Sequence, residues 1–275
     1  MYENHWNLTR RPFENCIQHE SYYPSETHQA AVLKLRYAIE YRRAAAVLCG
    51  QSGMGKTLVV DALTRDLSDE FHPVCHVVFP YMNGEQMVRY VVDGVTGPSE
   101  TATEPASDLQ RFQGFLQQNI QNNRHAVIVV DEAHLLEDNE LLEPLRLLLN
   151  VGANQAEGES AWTLVLAGHP ILLSHVERNQ PLDERMSVKC MLNRFVAEET
   201  AAYIEHRLRA CGANVAEVFD YPALDRIHLL TEGVPRRINR LCDLALMVGY
   251  AEDRNLITAE VVENVQTELA APRAA

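Results

Sequence analysis

The sequence predicts an α/β fold, in which a parallel sheet flanked by helices is followed by a small, wholly helical domain. Three observations predict it. A short apolar segment, a glycine-rich loop and a segment of helical spacing follow one another over residues 44–67, and a second apolar segment, Val127–Val130, ends at two carboxylates. From Glu198 onward the apolar residues recur with the period of a helix. We therefore expect an α/β domain over residues 1–195, including a lead-in over residues 1–27, and a helical domain over residues 196–275.

The amino-terminal residues predict an irregular lead-in, then a helix, then a buried strand. Ser25 suits the N-cap of a helix from about residue 26 to residue 43. The apolar stripe of this helix consists of Ala31, Val32, Leu35, Ala38 and Ile39. The apolar run Ala44–Cys49 then predicts the first strand.

Residues Gly50–Thr57 read G-Q-S-G-M-G-K-T and fit the pattern G-x-x-x-x-G-K-[ST] of a phosphate-binding loop. In such a loop the glycines let the backbone turn its N–H groups toward phosphate oxygens, and the positive end of the following helix, here Leu58–Leu67, faces the same anion. Lys56 is expected to reach the β- and γ-phosphates, and the Thr57 hydroxyl to ligate Mg²⁺. The predicted nucleotide-binding residues are Gly50, Gln51, Ser52, Gly53, Met54, Gly55, Lys56, Thr57 and Leu58. A chance match in a glycine-rich loop is disfavoured, because the strand and the helix stand on either side.

The second motif is H-A-V-I-V-V-D-E, His125–Glu132. Its apolar residues predict a fully buried strand, and ligands of open α/β sheets bind outside the carboxyl ends of the strands. Asp131 is thus placed to hold Mg²⁺, and Glu132 to orient or deprotonate an attacking water. The structural alternative is that the two carboxylates belong to an acid-rich helix start. Together with the phosphate-binding loop, the motif predicts a P-loop NTPase that hydrolyses a nucleoside triphosphate.

The remaining elements follow from the same patterns. Residues 93–107 are polar and contain proline, which predicts a loop. The leucine-rich segment at residues 140–149 predicts a helix that packs in the core. The other predicted strands are 74–79, 162–167 and 188–192, and the other predicted helices are 108–123, 198–211, 222–231, 235–251 and 258–269.

Composition limits the class of protein. No apolar run is long enough to cross a bilayer, and the first residues lack the apolar core of a signal peptide. The six cysteines form no C-x-x-C pair, so we expect buried thiols in a reducing cytoplasm. A formal net charge of −14 disfavours nonspecific nucleic-acid binding over the whole surface, although it leaves room for a local basic groove.

An α/β nucleotide domain followed by a small helical domain resembles the AAA+ ATPases. The opening M-Y-x-x-x-W-x-L-x-x-x-P-F, the segment Y-Y-P-S-x-x-H-Q-x-A and the segment G-V-P-R-R-I-N-R-L-C-D at residues 233–243 are similar to the general secretion pathway protein A (ExeA/GspA-type) family, which is related to TnsC-like transposition ATPases. The resemblance runs from Met1 to about Leu269. The family's common extension, a membrane segment with a periplasmic peptidoglycan-binding domain, is absent from these 275 residues, so we expect an ATPase core without direct membrane insertion.

The resemblance implies two further catalytic arginines. Arg236 matches the sensor 2 arginine at the start of a lid helix, which would reach the γ-phosphate in cis, and its neighbour Arg237 is the alternative. Arg185 matches the arginine that the family offers to a neighbouring subunit's γ-phosphate. Each arginine also has an ordinary interpretation, a solvated pair at a helix start for Arg236 and a surface ion pair with Asp183 or Glu184 for Arg185.

Four residues remain open to two interpretations. His169 stands where the family carries a polar sensor 1 residue, so it either contacts the γ-phosphate or packs as a neutral side chain at the end of the sheet. His134 completes the letters D-E-A-H, which are a helicase motif. A helicase of that type needs a second RecA-like domain, so we expect His134 to be part of a helix start instead. Tyr23 and His28 either line the adenine pocket or pack the lead-in.

The sequence thus predicts a cytoplasmic AAA+ ATPase that uses ATP and Mg²⁺. The neighbour-supplied arginine implies a homo-oligomer, either a ring or a filament, that drives a partner in secretion or envelope assembly. A DNA-associated adaptor and a slow nucleotide-gated scaffold are the alternatives. DNA has weak support, because the acidic residues of the amino-terminal segment nearly balance its basic residues, which are Arg10, Arg11, Lys34, Arg36, Arg42 and Arg43.

Overall fold

The computed structural model describes residues 1–14, 22–78, 82–98, 105–136, 140–152 and 159–270. The chain folds as two compact units. The α/β unit comprises Thr27–Ser52 and Lys56–Leu192, and the helical unit comprises Met1–Glu26, Gly53–Gly55 and Asn193–Ala275.

The α/β unit contains a five-stranded sheet in the order β2-β3-β4-β1-β5, in which every described pairing is parallel. The strands are β1 Ala45–Cys49, β2 Val74–Val77, β3 Ala126–Val130, β4 Trp162–Gly168 and β5 Met186–Met191. Every residue of β1, β3 and β4 is buried. Burial on both faces is what parallel strands require, and it explains their unbroken apolar runs.

Helices flank this sheet. They are α1 Glu26–Glu40, α2 Lys56–Arg65, α3 Gly84–Thr96, α4 Pro105–Gln121, α5 Leu142–Leu148, α6 Ile171–Arg178 and the short α7 Gln180–Asp183. The core between the helices and the sheet includes Val92, Phe112, Leu145 and Trp162. The predicted parallel sheet flanked by helices is confirmed.

The helical unit consists of α8 Ala197–Arg209, the short α9 Val215–Val218, α10 Tyr221–Thr231, α11 Pro235–Ala251 and α12 Ala259–Ala270. Its core also contains lead-in residues, among them Tyr2, Trp6 and Phe13. The Trp6 indole donates to the Leu246 carbonyl at 3.0 Å, which satisfies its polar group while the ring is buried. The lead-in, which is predicted as part of the α/β domain, instead packs its aromatic side chains among the carboxyl-terminal helices.

Several predicted boundaries differ from the structure for local reasons. α1 ends at Glu40 because Arg42 adopts a left-handed conformation, and the N–H of Arg43 bonds to the Ala38 carbonyl. Glu140 also has a positive φ, and the helix predicted over residues 140–149 begins only at Leu142.

The predicted loop over residues 93–107 is wrong at both ends. Helix α3, which was not predicted from the sequence, continues to Thr96, and α4 begins at Pro105. A capping box starts α3, in which the Gln86 N–H donates to the Asn83 side chain and the Gln86 side chain accepts from the Asn83 N–H. Phe79 of the predicted second strand lies outside the described residues.

The cysteines of the described ranges are all buried and unpaired: Cys49, Cys75, Cys190, Cys211 and Cys242. Cys16 lies outside the described residues. None of the helices in the described ranges combines the length and the apolar character that a bilayer crossing needs.

Candidate functional site

The glycine-rich loop connects β1 to α2. The Gly50 N–H donates to the Gly168 carbonyl at 3.1 Å, which extends the β1–β4 pairing to the start of the loop. Gly53 has a φ of +82° and Gly55 a φ of +88°, a region that glycine adopts without the steric cost of a Cβ atom. The backbone therefore turns through the loop and enters α2 at Lys56.

Lys56 is a buried cation for which the described part of the chain provides no carboxylate partner. Its side chain is 7% exposed, and Nζ donates to the carbonyls of Gly50 at 3.0 Å and Gln51 at 3.3 Å. Among the residues that the structure describes, it makes no ion pair. Burying a charge is unfavourable unless a counter-charge compensates it, so this position favours an anionic ligand.

Thr57 and Asp131 bring the two motifs together at the carboxyl edge of the sheet. The Thr57 hydroxyl donates to Asp131 Oδ2 at 2.7 Å, and Asp131 Oδ1 accepts the Glu132 N–H at 2.8 Å. Asp131 is 3% exposed, and its own N–H donates to the Val77 carbonyl at 2.8 Å. A hydroxyl and a carboxylate in contact are a pair of oxygen ligands that suits Mg²⁺. Within the described ranges, no group of three or more His, Cys, Asp or Glu side chains is arranged to hold a metal ion.

Glu132 leaves the strand in a left-handed conformation, with a φ of +49°, and its side chain is 51% exposed. Its Oε2 lies 3.4 Å from Nδ1 of His134, in the 3₁₀ turn Ala133–Leu136. The same Nδ1 accepts the backbone N–H of His169 at 3.4 Å. Burial, more than the nearby charges, lowers the pKa of His134, so its ring is neutral near pH 7.

His169 follows the last residue of β4 and is exposed. Its ring centroid lies 5.9 Å from that of His134. The contact of His134 with His169 was not predicted from the sequence, which indicated only a helix start for His134. The D-E-A-H spacing was the available signal, since it places an imidazole two residues after the carboxylate.

Arg236 lies in the first turn of α11. Its N–H donates to the carbonyl of Gly53, the loop residue that belongs to the helical unit, at 3.2 Å. A Cβ atom on Gly53 would lie 2.7 Å from Cβ of Arg236. At the same helix start, Glu232 pairs with Arg237 at 3.3 Å and with Arg194 at 2.5 Å.

Arg185 directly precedes β5, and its Nη2 donates to Asn150 Oδ1. In the described chain it forms no ion pair with Asp183 or Glu184. Asp183 is bound by Lys189 at 2.6 Å, and Glu184 accepts from Gln180 at 3.0 Å. The ordinary ion-pair interpretation of Arg185 is therefore not realised among these residues.

The structure shows how Tyr23 and His28 are packed. The Tyr23 ring packs edge-on against Phe195 and Tyr203, with centroids 5.8 Å and 5.7 Å away, inside the helical unit. These contacts agree with the interpretation of Tyr23 as a residue that packs the lead-in. His28 is buried on α1.

Comparison with known proteins shows what this chain is similar to. The AAA domain family matches residues 39–176, which contain both motifs. General secretion pathway protein A of Aeromonas hydrophila is 28% identical over 260 residues, which span 94% of this chain but only 46% of that protein.

Two solved structures share the fold. The ORC2 protein of Aeropyrum pernix, in ADPNP and ADP complexes, superposes with a TM-score of 0.71 at 17% identity, over 94% of this chain and 71% of that one. Drosophila ORC bound to DNA also has a TM-score of 0.71, at 14% identity, over 96% of this chain and 65% of that one.

Proposed function

Because the chain belongs to the AAA domain family, we propose that it binds ATP with Mg²⁺ and hydrolyses it to ADP and phosphate. The observation that carries the proposal is the buried Lys56, whose Nζ donates to two loop carbonyls, next to the contact between Thr57 and Asp131. It combines a site for phosphate with a pair of oxygen ligands for a divalent cation.

The residues present fit both groups. Gly53 and Gly55 carry no side chains, so phosphate oxygens can approach the backbone of the loop. Lys56 would exchange its two carbonyl acceptors for phosphate oxygens, which compensate its charge. Thr57 and Asp131 would hold Mg²⁺, which supplies neutralisation of charge on the phosphates when bound.

In the proposed reaction Glu132 orients a water and accepts a proton as the water oxygen bonds to the γ-phosphorus and the bond to the β-phosphate oxygen breaks. Half of its side chain is exposed, so solvent water has access to the carboxylate. Lys56 stabilises the charge that develops on the leaving phosphate.

The other predicted residues take supporting roles in the proposal. The segment Gly50–Leu58 binds the nucleotide, and His169 stands at the sensor 1 position. Arg236 acts in cis from a lid formed by the helices after residue 195, and Arg185 acts in trans in a ring or filament of identical subunits. Its lack of an ion pair among the described residues, with Asn150 as its side-chain acceptor, supports a cation that is available to another molecule.

The cellular setting is proposed from the relative. Similarity to general secretion pathway protein A supports a cytoplasmic ATPase that acts with a protein partner in secretion or envelope assembly. The likeness to DNA-bound ORC favours a second candidate, a DNA-associated ATPase.

The test is a measurement of ATP hydrolysis over a series of protein concentrations, for the wild type, Arg185→Ala and the exposed control Arg124→Ala, with and without double-stranded DNA. We expect specific activity to rise with concentration in the wild type and the control and to collapse in Arg185→Ala. A further rise with DNA, lost at high salt, would support the DNA-associated candidate.

Other outcomes are equally informative. Slow turnover that is independent of protein concentration and unchanged in Arg185→Ala would refute the composite site and support a monomeric nucleotide-gated scaffold. If the wild type hydrolyses no ATP under any of these conditions, the ATPase proposal itself fails.

A further inference from the structure

One nitrogen atom, Nδ1 of His134, lies 3.4 Å from two groups that make opposite demands on it. One is the Glu132 Oε2 atom, and the other is the backbone N–H of His169. A carboxylate only accepts a hydrogen bond, so it requires a proton on Nδ1. A backbone N–H only donates, so it requires an Nδ1 without a proton. His134 can therefore satisfy Glu132 or His169, but not both at the same time.

A neutral imidazole carries its single proton on either ring nitrogen, and its hydrogen-bond partners decide which. The lowered pKa of His134 keeps the ring neutral, so the choice is between two tautomers rather than between two charges. With the proton on Nδ1, the ring holds the Glu132 carboxylate. With the proton on Nε2, the ring accepts from His169 and the carboxylate loses this contact.

The end of β4 is packed tightly against the turn that carries His134. A Cβ atom on Gly168 would lie 3.0 Å from the backbone nitrogen of His134 and 3.4 Å from the backbone nitrogen of Ala133, so a glycine permits this approach. The backbone N–H of His169 is therefore held next to the imidazole by the strand that precedes it. A shift at the end of β4 would alter the competition for Nδ1.

We propose that His134 is a positioning residue, which holds the Glu132 carboxylate through Nδ1 in competition with the backbone of His169 at the end of β4. The inference rests on the proposed ATPase function and assigns a role to a residue that the D-E-A-H motif alone does not explain. It links the carboxylate that handles water to the strand end at the sensor 1 position.

The first test separates positioning from structural support with two substitutions. In His134→Asn the amide nitrogen stands as many bonds from the backbone as Nδ1 and always carries a proton, so Glu132 stays held. His134→Ala removes the donor. We expect kcat to fall at least about tenfold in His134→Ala, because misplaced groups lose rate steeply. KM should stay unchanged, and His134→Asn should recover most of the rate.

The second test uses the Glu132→Gln background in single-turnover experiments. If His134 acts through Glu132, His134→Ala adds no further loss there, because both changes remove the same contribution. The exposed His72, before the start of β2 at the opposite edge of the sheet, provides a matched control, and His72→Ala should match the wild type in every assay.

A readout without nucleotide completes the test. Nitrogen-15 NMR of the imidazole in the nucleotide-free protein reports which ring nitrogen of His134 carries the proton. Substituting Glu132→Ala should move the proton from Nδ1 toward Nε2. An unchanged tautomer, a His134→Ala kcat within twofold of the wild type, or an Asn variant no better than Ala would overturn the inference while leaving the ATPase proposal standing. A wild type without turnover would instead refute the ATPase proposal.

Discussion

Lys56 illustrates at the scale of one residue how a buried charge predicts a ligand. We expect Lys56→Ala to abolish ATP binding, because the ammonium is the one side-chain cation of the loop and its two carbonyl acceptors cannot bind phosphate. Isothermal titration calorimetry with ATP and Mg²⁺ measures the loss. Lys34→Ala, on α1, is the matched control and should bind like the wild type. Wild-type affinity in Lys56→Ala would contradict the assignment of the loop.

Glu132 separates binding from turnover. We expect Glu132→Gln to bind and trap ATP, with only a slow residual hydrolysis, because an amide cannot accept the proton of the attacking water. The binding contacts at Lys56 and Thr57 are unchanged by the substitution. Filter binding of labelled ATP, followed by analysis of the bound nucleotide, distinguishes ATP from ADP. Hydrolysis at the wild-type rate would show that another group handles the water.

His125 predicts how stability depends on pH. Its ring is fully buried, Nε2 lies 2.8 Å from the Thr163 hydroxyl, and that hydroxyl donates to the Arg43 carbonyl at 2.6 Å. The hydroxyl can therefore only accept from Nε2, and Nδ1 has no hydrogen-bond partner among the described residues. Burial lowers the pKa of His125 to about 3.

Between pH 6.5 and pH 3 the unfolded chain binds a proton on His125 and the folded chain does not. The contribution of His125 to stability is therefore complete above pH 6.5 and declines toward pH 3. We expect His125→Gln to flatten the fall in unfolding free energy over that interval, as measured by urea titrations at several pH values. His72→Gln, at an exposed histidine, should keep the wild-type slope. An unchanged slope in His125→Gln would contradict the prediction.

At the scale of elements, the capping box of α3 is a separable source of stability. Asn83→Ala removes the acceptor for the Gln86 N–H, and we expect it to lower the free energy of unfolding by about 1 kcal/mol. Asn83→Ser should retain most of that energy, because serine also caps helices well. Gln110→Ala, at an exposed interior position of α4, is the control. Equal stability of Asn83→Ala and the wild type would show that the cap is dispensable.

Helix α3 also shows why part of the fold could not be predicted. Its last turns contain Val91, Val92, Gly94 and Thr96, residue types that disfavour helices, and tertiary packing of the buried valines overrides that preference. By contrast, α11 was predicted from Pro235 to Ala251, because a proline suits the first position of a helix and a regular apolar stripe follows.

The candidate site divides in the same way. The carboxyl ends of parallel strands meet at one edge of a sheet, so the proximity of Asp131 to the loop could be predicted from local patterns. The approach of His169 to His134 could not, because it depends on how closely the end of β4 packs on a turn distant in sequence. The lead-in was misplaced because apolar side chains do not reveal which of two cores they enter.

At the scale of the whole molecule, each of the two units has a core of its own. The core of the α/β unit surrounds the sheet, and that of the helical unit combines residues from both ends of the chain. The lead-in is bound there by long-range contacts, such as the Thr9 N–H to the Cys211 carbonyl at 2.9 Å and the Arg207 guanidinium to the Pro12 carbonyl.

The reactivity of the buried cysteines provides a separate measure of unfolding for each unit. Burial raises the pKa of Cys49, Cys75 and Cys190 in the α/β unit to about 11, and it also raises the pKa of Cys242 in the helical unit. Alkylating reagents attack thiolates, so we expect these four thiols to resist iodoacetamide near pH 8 until their unit opens. Mass spectrometry after brief labelling in graded urea would give the urea concentration at which each core opens. Rapid modification of all four in the native protein would contradict the burial on which the expectation depends.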